Sequence, residues 1–289
     1  MNYKELIEQS KSTRDFKDKE VPQKIIEQVS EYSSDSTTIF PDQKIQMKLL
    51  QDGHEVYHAL EGMAGFNGIM IKAPQYILFS TDNTKDHQIN VGYYVQNMIL
   101  KLEDLGIDSC WIAIPEDGEI IKLALNIADD KEAAALIAIG YDNNQVKVIN
   151  RFHFGENYSK TDMKVVENNV ATRLTMDKIV YLDSWGNNMS VDRLIEMKMN
   201  DIFHYAVMAP STYNRQPWRF ILKGDHLYLA IRRDPGVNDE LDLLDAGIIM
   251  LYVELMMRDA NITGKWHVVT DTKMDGIPQN YRYIGFYSH

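Results

Sequence analysis

Between Met208 and Phe220 the chain reads Met208-Ala209-Pro210-Ser211-Thr212-Tyr213-Asn214-Arg215-Gln216-Pro217-Trp218-Arg219-Phe220. Pro210 and Pro217 lack an N–H and fix φ, so the segment is irregular but stiff. Ser211, Thr212, Asn214 and Gln216 can each donate and accept hydrogen bonds. A stiff loop with that many polar groups suits a flat heterocycle with carbonyl and N–H edges, although a helix-to-strand loop that merely caps its ends has a similar composition. A second run, Ser10-Lys11-Ser12-Thr13-Arg14-Asp15-Phe16, sets two cations beside several hydroxyls. That is chemistry for a phosphate and a polyol, or simply a solvated charged turn. Acid–base machinery is sparse. The eight histidines are scattered; His54 and His58 are four residues apart, with no third metal ligand at motif spacing. Cys110 is the only cysteine and reads as a small buried residue, neither nucleophile nor ligand. No G-x-G-x-x-G follows a strand, so no dedicated dinucleotide-binding fold is indicated.

The bulk composition narrows the partners. The 289 residues allow one large or two ordinary domains. A hydrophobic share of 45% and a charged share of 25% are ordinary for a soluble globular chain. No apolar run approaches the ~20 residues of a membrane span, the first residues lack the apolar core of a secretory signal, and a lone cysteine excludes an internal disulfide. The expected location is the cytoplasm. The net charge of −12 argues against nucleic acid or an anionic membrane as a general partner. It does not exclude a phosphorylated cofactor. Charges beyond roughly 8 Å are screened at physiological salt, whereas a cation about 4 Å from a phosphate gains roughly 4 kcal/mol at an effective dielectric of 20.

The elements that must position these residues follow from apolar spacing. Residues 3–9 read as the end of a short helix. Val21-Pro22 starts another, Gln23 to Tyr32, with proline near its first turn. Lys44–Leu50 and Tyr76–Phe79 read as strands, and residues 54–66 as helix. Val91, Val95, Met98, Ile99 and Leu102 mark one face of a long helix from His87 to Leu105. Gly106–Ala113 ends that helix and enters a strand, and a helix over Glu119–Leu125 and a strand over Ala133–Ile139 follow. A helix-like run from Leu194 to Val207 feeds the Pro210–Gln216 loop, and the strand-like Phe220-Ile221-Leu222 leaves it. Asn143–Val170 is polar and reads as a linker or insertion.

A repeat is hidden in this order. Gly92 and Trp111 are 19 residues apart, as are Gly247 and Trp266. At the same offset of 155, Leu100 matches Leu255 and Ile107 matches Ile262. Ile139-Gly140-Tyr141 is echoed by Ile284-Gly285-Phe286 at an offset of 145, a drift that a loop deletion would produce. The pattern predicts two tandem copies of one unit, residues 1–186 and 187–289. Copy one has the basic Ser/Arg start; copy two has the Pro210–Gln216 loop.

The loop A-P-S-x-x-N-x-Q-P-W-x-F resembles the flavin-contacting loop of the nitroreductase family. Lys11, Ser12, Arg14 and Phe16 resemble that family's R-x-S-x-R-x-F start, with Ser10 where the family has arginine. Arg173-Leu174 through Val180 resembles its tail. The resemblance implies an α+β fold, a mixed sheet flanked by helices, which in the family forms obligate homodimers with FMN at the subunit interface. One subunit supplies the basic start, the Ser-Cys-Trp-Ile segment and the tail arginine; the other supplies the loop. It implies here an intramolecular pseudo-dimer with one complete flavin site. Lys11, Ser12 and Arg173 would hold the phosphate, each charge-assisted bond contributing roughly 1.5–3 kcal/mol. Arg14 would face the ribityl chain or the flavin O2 edge. Ser109, Cys110 and Trp111 would line the ring, and Pro210, Ser211, Asn214 and Gln216 would bind its edge from the other half. The implied activity is an FMN-dependent oxidoreductase using NADH or NADPH to reduce nitroaromatics, quinones or a similar small-molecule acceptor. A monomer or weak homodimer is expected. The alternatives are a flavin-binding protein without turnover (redox sensor, flavin store or flavin-fragmenting relative) and a scaffold that has lost FMN.

Overall fold

Two blocks of helix and strand fill the chain, and the computed structural model describes them over residues 1–82, 84–127, 130–143, 172–270 and 272–288. The first block contains α1 (Tyr3–Gln9), α2 (Gln23–Asp35), β1 (Ile45–Leu50), α3 (Gly53–Leu60), β2 (Gln75–Thr81), α4 (His87–Asp104), β3 (Asp108–Ile112), α5 (Gly118–Ala124) and β4 (Glu132–Gly140). The second contains β5 (Val180–Leu182), α6 (Val191–Glu196), α7 (Asn200–Ala206), β6 (Trp218–Lys223), β7 (His226–Arg232), α8 (Asp239–Asp259), β8 (Lys265–Val268) and β9 (Tyr281–Ser288). Helix starts follow capping chemistry. Asn2, Asp52, Asp117, Ser190 and Asn238 each accept a backbone N–H from the first turn of the helix they precede, satisfying a donor the helix cannot. Most of the linker read at 143–170 lies outside the described residues.

The α+β class holds, and the two sheets have the same plan. Sheet one runs β1-β2-β4-β3 and is antiparallel throughout. Sheet two runs β5-β6-β7-β9-β8, so β6, β7, β9 and β8 repeat the order of β1, β2, β4 and β3. The registers repeat too. Phe79 faces Ala135 and Leu229 faces Gly285, both at an offset of 150, with an irregularity after Phe79 and after Leu229. Trp111 faces Ile137 and Trp266 faces Tyr287. This corrects the expected match at an offset of 145. Gly140 lies opposite Asp108, three residues before its tryptophan, while Gly285 lies opposite Val268, two after. Ladder position, not a shared Ile-Gly-aromatic triplet, decides which residues correspond. The added strand β5 precedes the second repeat in sequence yet pairs in parallel with β6, Val180 opposite Phe220. It lies on sheet two and not on sheet one.

The centre of the molecule is α4 against α8, and glycine explains how closely they approach. A Cβ on Gly92 would sit 2.1 Å from the Leu244 carbonyl oxygen, and one on Gly247 would sit 2.0 Å from that of Ile89. Ile89 and Leu244 are themselves 155 residues apart, as are Gly92 and Gly247. Residue i meets j while the counterpart of j meets that of i, the signature of a two-fold interface. The spacing of apolar residues predicts one buried face for α4. In fact fourteen consecutive residues, His87 to Leu100, are buried, because the helix is wedged between sheet one and α8.

One expected helix divides. Leu194–Val207 forms α6 and α7 rather than one run, broken where Lys198 adopts φ 58° and Met199 N–H returns to the Leu194 carbonyl. Among the described residues no helix is long and apolar enough to cross a membrane.

Candidate functional site

The basic start lies beside β3. Ser12 pairs with Ser109 in a parallel bridge, Thr13 N–H donates to the Ser109 carbonyl at 3.0 Å, and Thr13 Oγ1 donates to Asp108 at 3.3 Å. Lys11, Ser12 and Arg14 are therefore held next to Ser109, Cys110 and Trp111. Their electrostatic surroundings differ. Lys11 is paired with Asp142 and lies 3.8 Å from Asp108. Burial lowers its proton affinity, but Asp142, Asp108 and Glu103 more than offset that, so it stays charged and largely neutralised. Burial pushes the Glu103 carboxyl up to about 7, with Asp108 adding to the shift and Lys11 opposing it. Arg14 is exposed and makes no ion pair among the described residues. Cys110 is buried; desolvation pushes its thiol up, and the Arg14 charge and Ser12 hydroxyl offset this only in part. A buried, protonated thiol is a poor nucleophile.

The Pro210–Gln216 loop carries unusual strain. Tyr213, Asn214 and Gln216 have φ of 53°, 54° and 49°, a region costing on the order of 1–3 kcal/mol for residues other than glycine. Such a backbone persists only when its surroundings over-determine it. Here α8 does so. The buried Asp245 accepts from Thr212 N–H at 2.8 Å and Thr212 Oγ1 at 3.1 Å. Arg215 Nη2 donates to Asp245 at 3.0 Å and lies 2.8 Å from Asp242 Oδ1, an ion pair without hydrogen-bond alignment. Arg215 Nη1 reaches Asp234 at 3.4 Å. Complete burial pushes the Asp245 carboxyl up to about 7, against the pull of the Thr212 N–H and Arg215, with Asp242 adding to the rise. Asp242 is also raised, by burial first, with Arg215 opposing.

The tail closes on this loop. Arg173 Nη1 donates to the Ala209 carbonyl at 3.0 Å and to Asn214 Oδ1 at 2.9 Å. Gln216 Oε1 accepts Leu174 N–H at 2.7 Å, and Gln216 Nε2 and Asn214 Nδ2 each donate to the Thr172 carbonyl at 3.0 Å. Both amides expected at a heterocycle edge are thus engaged with the tail, Gln216 within the core and Asn214 at the surface. Ser211 Oγ accepts Gln216 N–H at 2.9 Å. Pro210 is half-buried. Arg173 has no carboxylate partner among the described residues; burial lowers its proton affinity and Tyr252 partly restores it.

The two sets face each other across one seam. Trp111 Nε1 donates to Gln96 Oε1 at 2.9 Å, and Gln96 Nε2 donates to the Tyr252 hydroxyl at 3.2 Å. Tyr252 in turn senses the charge of Arg173. On the outside, Gly65 N–H donates to the Ala113 carbonyl at 2.7 Å, and Phe66 packs on Tyr213 with ring centroids 5.7 Å apart. Gln96, Tyr252, Asp245 and Arg215 are not announced by the sequence. The first three lie on helices whose signal is apolar periodicity, and Arg215 occupies a variable place in the loop motif. Away from the seam, His54 and His58 approach to 3.1 Å between Nε2 atoms, and no third metal ligand joins them among the described residues.

The seam has a degenerate counterpart. An offset of 155 carries Gln96 to Leu251, Asn97 to Tyr252 and Glu103 to Arg258. There Leu251 cannot relay a hydrogen bond, and Trp266 Nε1 donates to the Met250 carbonyl instead. A cavity of about 190 Å³ remains, lined by Tyr32, Thr37, Asn97 and Arg258 among others.

The family model described as "Putative TM nitroreductase" matches residues 2–257. Among solved structures, a Thermotoga maritima protein described as a "putative nitroreductase" superposes with a TM-score of 0.58 at 17% identity, covering 98% of this chain and 94% of that one. An FMN-dependent nitroreductase of Clostridium difficile matches with a TM-score of 0.42 at 17% identity, over 53% of this chain and 98% of that one. A Bacteroides fragilis nitroreductase with bound FMN matches with a TM-score of 0.41 at 15% identity, over 60% of this chain and all of that one, 100%. No curated protein matches the chain.

Proposed function

The chain belongs to the nitroreductase family, and from that premise we propose that it is an FMN-dependent oxidoreductase that uses NADH or NADPH to reduce a small-molecule acceptor at a single site on the seam. The observation that carries the reading is a pair of guanidiniums, Arg14 and Arg173, with no carboxylate partner among the described residues, one on each side of the Trp111–Gln96–Tyr252 relay. Cations without a carboxylate partner, Arg173 half-buried and Arg14 exposed, suit a phosphorylated ligand. The chemistry of the residues therefore fits FMN.

In this reading Arg14 and Arg173 take the anionic groups, and Ser12 adds a hydroxyl to them. Lys11 contributes less than expected, because Asp142 and Asp108 already compensate it. Ser109, Cys110 and Trp111 line one wall. Pro210 and Ser211 line the other, while Asn214 and Gln216 act mainly by tying the loop to the tail. When bound, FMN supplies hydride chemistry, so that NAD(P)H, a proton and a quinone become NAD(P)⁺ and a hydroquinone. The protein's own part is to hold charge and exclude water, and no side-chain nucleophile is called for. The two repeats, residues 1–186 and 187–289, act as a fused pseudo-dimer, each contributing what the other lacks. A monomer or weak homodimer in the cytoplasm follows from the same reading.

A visible spectrum of the purified protein, taken before and after anaerobic addition of NADH or NADPH, tests the proposal. A yellow protein that bleaches is the expected result. A yellow protein that neither nicotinamide bleaches would be a flavin store or sensor, and a colourless one that cannot be loaded with FMN would be a scaffold.

A further inference from the structure

Four of the large hydrophobic side chains exposed on this molecule cluster at the outer rim of the seam: Met63, Phe66, Ile69 and Tyr213. Phe66 is 61% exposed and Tyr213 62%, and their rings meet edge-on at 74°. The edge-on arrangement leaves an aromatic face of each ring available for a further ring to stack on. Neither is a floppy surface residue. Phe66 lies in a tight turn whose Gly62, Gly65 and Gly68 have φ of 84°, 88° and 78°. A Cβ on Gly65 would lie 2.0 Å from the Ile69 carbonyl oxygen, and Gly62 N–H donates to the Gly68 carbonyl at 3.0 Å. The turn is tethered through Gly65 to Ala113, two residues beyond Trp111. Tyr213 is held out by a strained backbone, φ 53°, locked by the Asp245–Arg215 clamp. Each half of the molecule thus spends conformational freedom to keep one aromatic ring in water, which neither packing nor solubility requires.

We propose that Phe66 and Tyr213 form a two-sided aromatic lip that selects flat, neutral aromatic electron acceptors, quinones or nitroaromatics, over hydrophilic ones. This rests on the reading of the seam as a redox site and adds the residues that choose the acceptor. The occupant is a small planar molecule rather than a protein because two rings and two aliphatic side chains offer a patch suited to one ring system, not the roughly 800 Å² per partner of a stable protein contact.

The test uses the protein as isolated. Menadione is titrated by calorimetry into the wild type, Phe66→Ala, Tyr213→Asn and the double variant; Asn removes the ring but tolerates the left-handed backbone. The menadione Kd is expected to rise about threefold or more for each single variant and about tenfold for the double, on the scale of one or two stacking contacts. The KM for menadione should follow, while the KM for ferricyanide, which does not stack, and the bound flavin stay unchanged. An unchanged menadione Kd overturns the proposal, as does an equal rise for ferricyanide. So does dissociation of a dimer by Phe66→Ala in sedimentation, since the lip would then seat a second copy. A colourless protein inactive with both acceptors sinks the redox reading instead, and the menadione Kd still judges the lip.

Discussion

Asp245 is the residue on which the loop geometry turns. It is fully buried, binds Thr212 and Arg215, and has its carboxyl pushed up to about 7 mainly by burial. Its folded value lies above its unfolded value of 3.8, so the stability it contributes is complete below about pH 4 and is lost as pH rises through 7. A shift of this size corresponds to something on the order of 4 kcal/mol. Denaturant melts of the wild type should therefore lose stability between about pH 4 and 7, and Asp245→Asn should flatten that slope. An unaltered slope in the variant would assign the titration to another group, with Glu103 the obvious candidate. At the cofactor, Arg14→Ala should weaken FMN retention at least about tenfold, the equivalent of one charge-assisted contact, measured by dialysis against free flavin. Lys11→Ala should do less, because Asp142 and Asp108 already hold that ammonium. These two residues mark what the sequence could convey. Both cations are visible in the Ser10–Phe16 run, but Asp142 lies 131 residues from Lys11, and nothing local announces that one cation is compensated and the other is not.

Among the elements, the α4–α8 crossing is the most constrained. A methyl group on Gly92 or Gly247 would fall about 2 Å from a carbonyl oxygen of the opposing helix. The neighbour is backbone, which cannot rotate away as a side chain would. Gly92→Ala and Gly247→Ala should each destabilise the protein by about 1–3 kcal/mol or more, the usual range for overpacking, read as a lowered denaturation midpoint with an unchanged m-value. Gly106→Ala serves as a control for a different mechanism: nothing lies near its Cβ direction, but its φ of 74° makes alanine strained. The 19-residue Gly–Trp spacing marked a glycine at the same place in each copy, but it announced a repeat and not this crossing, which depends on how the two helices pack in space. The strand correspondence was harder to read. Only hydrogen-bond register distinguishes an offset of 150 from 145, and register depends on partners far away in the chain. The split between α6 and α7 was hidden for a local reason: Lys198 takes a left-handed backbone that its type does not favour.

At the scale of the whole molecule, the proposed fusion of two copies into one chain would release each seam from the need to match the other. A symmetric homodimer must build two identical sites. Here the offset of 155 pairs Gln96 with Leu251 and Asn97 with Tyr252, and of these four it is Gln96 and Tyr252 that hydrogen-bond each other across the halves. The other seam retains the tryptophan, now bonded to a main-chain carbonyl, and a cavity of about 190 Å³. The crossing strand β5 is likewise added to sheet two alone among the described residues, carrying Arg173 toward one loop. Saturating the purified protein with FMN and counting flavin against protein by absorbance should therefore give one per chain, with a single binding phase. A ratio of two would mean that the second seam also takes flavin and that the asymmetry of the relay has no consequence for binding. Restoring the relay offers a sharper form of the same test. Leu251→Gln together with Asn97→Tyr would place the missing groups on the second seam, yet the ratio should remain at one. That seam still lacks a counterpart of the Pro210–Gln216 loop, whose place after α2 is taken by Ser36, Thr37 and Thr38, so hydrogen-bonding capacity alone does not make a site.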